Sequence, residues 1–126
     1  MNNSKVKIPE ITNKEKSQYL KEASESSRKR YAYILHQTGA YFNEALNFMY
    51  SDSYMIPHQH IGDERSEFIY LISGEVTVFY FDEIGNIKTK HFLNEKKNRS
   101  ISVPPFTWHT YVINSNYAVT YETMKG

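Results

Sequence analysis

From Ser51 onward the chain runs in short stretches where apolar and polar residues alternate, broken by turn-forming residues. Period-two alternation marks a β-strand, because successive side chains point to opposite faces. The pattern predicts strands near residues 52–60, 67–73, 75–82, 87–93, 99–103, 108–114 and 117–123. Ser73-Gly74-Glu75 and Asp82-Glu83-Ile84-Gly85-Asn86 supply turns between them. Ahead of Ser51 the pattern differs. Residues 1–10 read as an arm, and Thr12-Asn13-Lys14-Glu15 fits a capping box that opens a surface helix running to about Ser27. Tyr19, Leu20 and Ala23 form its thin apolar stripe. The stretch from Tyr31 to Gln37 alternates enough to be extended, whereas Phe42, Ala45, Leu46 and Met49 stand at helical spacing and predict a short amphipathic helix.

Many short strands behind a helical preface fit an antiparallel barrel or jelly roll. The expectation is a mainly β chain forming one structural domain, with residues 1–50 as a helical N-terminal extension and residues 51–126 as the barrel. Along Phe68-Ile69-Tyr70-Leu71-Ile72 and Val76-Thr77-Val78-Phe79-Tyr80-Phe81 both faces are largely apolar. A strand facing water on its outer side alternates with polar residues. Phe68, Tyr70, Ile72, Phe79 and Phe81 therefore need cover, from the chain's own helices or from a second subunit. A homodimer is the expectation.

Composition narrows the class. A chain of 126 residues is one domain, long enough to bury a core without staples. With no cysteine, any metal must be held by nitrogen and oxygen ligands. The net charge of +1 offers no attraction to nucleic acid or an anionic membrane. No apolar run reaches the roughly 20 residues needed to span a bilayer, and the first residues lead into no apolar stretch, so a cytoplasmic protein is expected. Eleven tyrosines and seven phenylalanines suit strand packing and can also line a pocket for a ring or a sugar.

The chemistry concentrates in two stretches. Pro57-His58-Gln59-His60 is followed by Glu67 and Gly74, and Pro104-Pro105-Phe106-Thr107-Trp108-His109 stands far downstream. On a strand His58 and His60 project to one face. A third imidazole from His109 and one carboxylate would give three nitrogens and one oxygen, a donor set for one divalent transition metal such as Zn, Fe, Mn, Ni or Co. Two carboxylates compete. Glu64 follows His60 closely but sits in the polar stretch Ile61-Gly62-Asp63-Glu64-Arg65-Ser66, which reads as a turn. Glu67 shares a face with Ile69 and Leu71, the expected inner face of a barrel strand, and is preferred.

These residues resemble the motifs of the cupin superfamily, in which a His-x-His pair, a glutamate and a glycine are answered by a later proline and histidine. His58, His60, Glu67, Gly74, Pro104 and His109 match. Asp52 and Asn98 stand at the leading glycines, Phe106 at a mid-motif glycine and Ile113 at a closing asparagine. A narrower resemblance, to WbuC-type cupin fold metalloproteins often found in surface-polysaccharide gene clusters, rests on further segments. They are Arg28-Lys29-Arg30-Tyr31, Leu35-His36, Asn43-Glu44-Ala45-Leu46-Asn47, Ser53-Tyr54-Met55-Ile56-Pro57-His58, Phe81-Asp82-Glu83-Ile84-Gly85 and Trp108-His109-Thr110. The resemblance implies a cupin double-stranded β-helix, a jelly-roll barrel, with His58, His60, Glu67 and His109 holding the metal.

Four other residues are pocket candidates. Tyr54 and Tyr111 share the faces of the histidines, His36 can hydrogen-bond a substrate or a ligand histidine, and Arg30 can pair with a phosphate or carboxylate through its planar fork. The leading function is a metal-dependent enzyme, an isomerase, hydrolase or oxygenase, acting on a small polar metabolite such as a sugar or nucleotide-sugar. The alternative is a metal-centred module that binds or senses a small molecule without turnover. An acid or base positioned beside the metal, beyond its ligands, separates the two.

Overall fold

The computed structural model describes residues 7–125. Thr12 caps helix α1 (Asn13–Glu25) through the capping box read from the sequence: its side chain accepts from the Glu15 amide, and Glu15 returns to the Thr12 amide. Among the described residues eight strands follow: β1 (Arg30–Ile34), β2 (Phe42–Tyr50), β3 (Glu67–Ser73), β4 (Glu75–Phe81), β5 (Ile87–Asn94), β6 (Ser100–Val103), β7 (Trp108–Ile113) and β8 (Tyr117–Lys125). They form an antiparallel five-stranded sheet in the order β1-β2-β8-β3-β6 and a three-stranded sheet in the order β5-β4-β7. One core joins the two sheets. Met49, Ile69, Leu71, Val103 and Ala118 of the larger sheet meet Val76, Val78, Leu93, Tyr111 and Ile113 of the smaller, all buried. The fold is mainly β, a jelly-roll of two packed antiparallel sheets.

The expected helix over Phe42–Met49 is instead strand β2, and the five-stranded sheet begins at Arg30, inside the stretch expected to be a helical extension. The apolar residues at helical spacing serve two sheet faces. Leu46 and Phe48 point outward beneath α1, and Met49 points into the core. Nine residues of β2 pair with β8, and β1 pairs along the other edge, so tertiary pairing overrides the local period. Helix is confined to α1 among the described residues.

Helix α1 lies on the outer face of the larger sheet. Ala23, Leu46, Phe48, Val119 and Tyr121 are buried there, with Ile8, Ile11, Tyr19, Leu20, Tyr70 and Ile72 packed against them. The Tyr19 ring stacks on Tyr31 and Tyr33 at centroid distances of 5.6 and 4.7 Å. Tyr70 and Ile72, which needed cover, are packed against this same cluster, with the Arg99 guanidinium over the Tyr70 ring. The outer face of the smaller sheet is different: Phe92 is 63% exposed and Val112 44%, beside half-buried Phe79, Phe81 and Trp108. Among the described residues no helix is long and apolar enough to cross a membrane.

Gly74 makes the turn from β3 into β4 possible. Its φ of +99° is a left-handed conformation, and a Cβ there would stand 2.5 Å from the Tyr117 carbonyl oxygen and 2.7 Å from Ser115 Oγ. That turn carries the chain from the larger sheet into the smaller, so both walls of the barrel depend on it.

Candidate metal centre

The polypeptide between β2 and β3 carries the first two histidines. Expected as a strand over residues 52–60, it pairs only at His58, which forms an isolated antiparallel bridge with His109 at the edge of β7. The two amides and carbonyls exchange hydrogen bonds of 3.0 and 2.8 Å. The Phe106 amide donates to the His60 carbonyl at 2.8 Å, and the Thr110 hydroxyl donates to the Met55 carbonyl at 2.5 Å. Pro57 lacks an N–H, which limits a longer ladder. The segment is nevertheless stitched to β7 on both sides of His58, and this sets the direction of both imidazoles.

His109 projects from β7 and is fully buried; Glu67 projects from β3 in the opposite sheet and is 8% exposed. The ligand atoms of His58, His60, Glu67 and His109 all lie within 4.8 Å of one another. Nε2 of His60 and Nε2 of His109 stand 3.2 and 3.1 Å from the same oxygen, Glu67 Oε1. Glu64, the competing carboxylate, pairs instead with Lys125 and is largely exposed.

The donor set fits a metal on a hydrogen-bond argument. His109 Nδ1 lies 2.8 Å from the Thr107 carbonyl and His58 Nδ1 lies 3.1 Å from the Ile56 carbonyl. A carbonyl only accepts, so each Nδ1 carries the hydrogen and each Nε2 is left with its lone pair. The His109 lone pair then faces the carboxylate oxygen of Glu67. Two acceptors at that distance need a cation between them, a proton or a metal ion. Three imidazole nitrogens and one carboxylate oxygen, with no thiolate, suit a borderline divalent ion.

Electrostatics agree with this geometry. Burial pushes the Glu67 carboxyl up, but when a proton is the cation between it and His109 or His60, the hydrogen bonds it makes outweigh burial and hold the carboxyl well below the usual carboxylate range. Burial lowers His58, with His109 and His60 adding to the shift, so its neutral, ligating form is favoured.

A group missed in the sequence reading stands behind Glu67. The Tyr111 hydroxyl lies 3.0 Å from Glu67 Oε2 and 3.0 Å from Glu122 Oε1. The Thr120 hydroxyl donates to Glu122 Oε2 at 2.8 Å. One phenol hydrogen cannot serve two carboxylates, so the chain is satisfied when Glu122 is protonated and donates to Tyr111, which donates to Glu67. Burial, and then the charge of Glu67, push Glu122 well above the ordinary carboxylate value. Glu122 carries no motif around it; its only sequence signal is a carboxylate at an inward position of an alternating strand.

The other candidates are dispersed. Tyr111 is buried behind Glu67 and is not a cavity wall. Tyr54, a pocket candidate, and its neighbour Ile56 are 73% and 69% exposed at the rim of a cavity of about 640 Å³. His58, Arg30 and Glu122 line that same cavity. His36 accepts the Glu44 amide hydrogen at 2.9 Å and lines a separate recess of about 120 Å³ that reaches Glu67 and Glu122 from another side.

The family described as "Domain of unknown function (DUF6016)" matches residues 11–93. The chain belongs to this family. The matched region runs from the start of α1 to β5 and includes His58, His60 and Glu67 but stops short of His109. No curated protein matches this DUF6016 chain in sequence. Its solved structural neighbours include cupins. An RmlC-like cupin with a double-stranded β-helix from Methanocaldococcus jannaschii aligns with a TM-score of 0.60 at 16% identity, over 80% of this chain and 84% of that one. A cupin superfamily protein of Desulfitobacterium hafniense aligns with a TM-score of 0.61 at 12% identity, over 76% of each chain. HppE, in its Fe(II) complex with substrate, aligns at 0.58 and 16% identity, over 75% of this chain and 53% of HppE. This DUF6016 chain has the cupin fold, and its His58, His60, Glu67 and His109 can hold a metal.

Proposed function

We propose that this protein is a metal-dependent cupin enzyme acting on a small polar metabolite, a sugar or nucleotide-sugar. The observation that carries the reading is the convergence of three imidazoles and one carboxylate from both sheets beside an open cavity walled by His58. HppE, which shares the fold, has been crystallised with Fe(II) and with Co(II), and an ion of that kind suits this donor set. A bound divalent ion would supply Lewis acidity, polarising a hydroxyl or carbonyl of the substrate. The chain's own residues do the rest. His58 and His109 hold their Nδ1 hydrogens on backbone carbonyls, Glu67 closes the donor set, and Tyr111 fixes the free oxygen of Glu67. Glu122, which lines the cavity and meets Tyr111, is the positioned acid that favours turnover over simple binding. The WbuC-type resemblance supports a role in surface-polysaccharide assembly, in a cytoplasmic setting.

We also propose a homodimer formed by the exposed face of the three-stranded sheet, which carries Phe79, Phe81, Phe92 and Val112. A second copy would cover this face as α1 covers the larger sheet. Sedimentation of the wild type against Phe92→Glu tests it, and a wild-type monomer at micromolar concentration sinks it.

The enzyme reading is tested by elemental analysis of protein purified without added metal, followed by a thermal-shift screen of sugars and nucleotide-sugars. Stoichiometric metal and a metal-dependent shift with one sugar class are expected. Protein that takes up no divalent ion at neutral pH ends the reading.

A further inference from the structure

Arg30 is a charged residue of the cavity wall whose chemistry the metal centre leaves unused. It sits at the start of edge strand β1, on the row facing Met49 and thus on the inner side of the sheet. Its neighbour Tyr31 points the other way, to stack on Tyr19. Arg30 and Arg28 line the cavity together with Asn47, Tyr54, His58 and Glu122. The guanidinium is partly buried, and its Nη1 is fully buried with no protein acceptor among the described residues. Glu122, the only carboxylate on the same wall among the described residues, is engaged with Tyr111 and Thr120 and makes no hydrogen bond to Arg30. A guanidinium stays charged at any physiological pH, and a buried N–H without an acceptor is destabilising. The chain thus places a charged, forked donor on the cavity wall, with one N–H closed off and without an acceptor among the described residues.

We propose that Arg30, assisted by Arg28, is an oxyanion subsite that receives the carboxylate or phosphate of the metabolite whose hydroxyl or carbonyl end reaches the His58, His60, Glu67 and His109 centre. The inference rests on the reading of that centre as a metal-centred pocket, and it adds the class of substrate: a small acidic one, anionic at one end and oxygen-rich at the other. The geometry of the fork suits both oxyanions, because two parallel N–H groups match either a planar carboxylate or one edge of a phosphate. The volume of about 640 Å³ lies in the range of small-molecule sites and accommodates a single metabolite rather than a polymer chain. Asn47 and Tyr54 on the same wall provide polar groups for neutral hydroxyls between the two ends.

The test uses Co(II)-loaded full-length protein and isothermal titration with three probes: glycerol, glycerate and glycerol 3-phosphate. The subsite predicts that one of the two anionic probes binds at least about tenfold more tightly than glycerol, and which one does so distinguishes carboxylate from phosphate. Arg30→Gln should abolish that preference, Arg30→Lys should retain part of it, and Arg28→Gln should weaken it less than Arg30→Gln. The Co(II) absorption bands should be the same in all three variants, which shows that fold and metal centre are intact. An anion preference that survives Arg30→Gln overturns the proposal, as does equal binding of all three probes to the wild type. Lack of Co(II) uptake would sink the metal reading separately; the metal-free protein must then still bind inorganic phosphate in an Arg30-dependent way, and the proposal falls if it does not.

Discussion

Glu67, His109, Tyr111 and Glu122 occupy the inner side of the site, while Arg28, Arg30, Tyr54 and Ile56 form its mouth. On the inner side each group is held more than once. Glu67 meets His60, His109 and Tyr111, Tyr111 meets Glu67 and Glu122, and Glu122 meets Tyr111 and Thr120. These residues sit on β3, β7 and β8, whose registers are set by long antiparallel ladders. At the mouth the support is thinner: Tyr54 and Ile56 lie in a stretch without strand pairing, and Arg30 stands on an edge strand with a buried Nη1 that has no acceptor among the described residues. The inner half is preorganised by the fold, and the outer half is completed by what enters it.

The largest expected effect comes from breaking the inner half. His109→Ala or Glu67→Ala should reduce Co(II) affinity by more than about 100-fold, since changes one shell further out already cost 10–100-fold. A titration followed by the visible spectrum checks this. Chelation should lower the melting temperature, because an ion at 100 times its Kd stabilises by about 2.7 kcal/mol. It should leave the β-sheet circular dichroism in place, since the core between the sheets is apolar and independent of the four donors.

Tyr111→Phe comes next. It leaves Glu67 and Glu122 as buried neighbours without the hydroxyl between them, at a cost of roughly 1–3 kcal/mol by urea denaturation of the metal-free protein. An unchanged midpoint would show that the inner chain is not structural.

Acidification should act in the same direction on two groups. The folded state lowers His58, so between its folded value and the ordinary 6.5 the unfolded chain binds more protons, and stability falls as pH drops through this window. The folded state also holds Glu67 below its ordinary 4.5, so its contribution is present above that value and is lost as pH falls through the range below it. Urea midpoints across these two windows should therefore decline toward acid, and Co(II) affinity with them, because a protonated imidazole cannot coordinate. Flat midpoints in the metal-free protein would remove the electrostatic part of the contrast.

Phe106 sits between the halves. Its φ of +60° is left-handed, at the position of the cupin glycine, with its amide on the His60 carbonyl. Phe106→Gly should relieve about 1 kcal/mol of backbone strain, offset in part by the entropy glycine adds to the unfolded chain, for a net change within about 1 kcal/mol. The smallest effect is expected at the rim: Tyr54→Ala, with a side chain 73% exposed, should alter stability by less than about 0.5 kcal/mol. A larger loss would mean that the mouth is built like the inner half.

Local pattern alone was enough for the capping box at Thr12 and Glu15 and for strands β3 to β8 within about two residues, because capping and period-two alternation depend on neighbours in sequence. Of the four donors, Glu67 was legible from its phase with Ile69 and Leu71, while the full set with His109 was legible through the cupin resemblance. Tertiary structure decided the rest. Strand β2 shows helical spacing locally and becomes a strand because β1 and β8 pair with it and α1 covers its outer face. Residues 52–60 alternate like a strand but find only one bridge, since Pro57 and the edge of β7 allow no longer ladder. Glu122 looked like an ordinary charge in sequence, and Arg30 was one of four dispersed pocket candidates. Only the packing of one sheet against the other places the first against Tyr111 and the second in the wall of a cavity, because burial and partners depend on residues far apart along the chain.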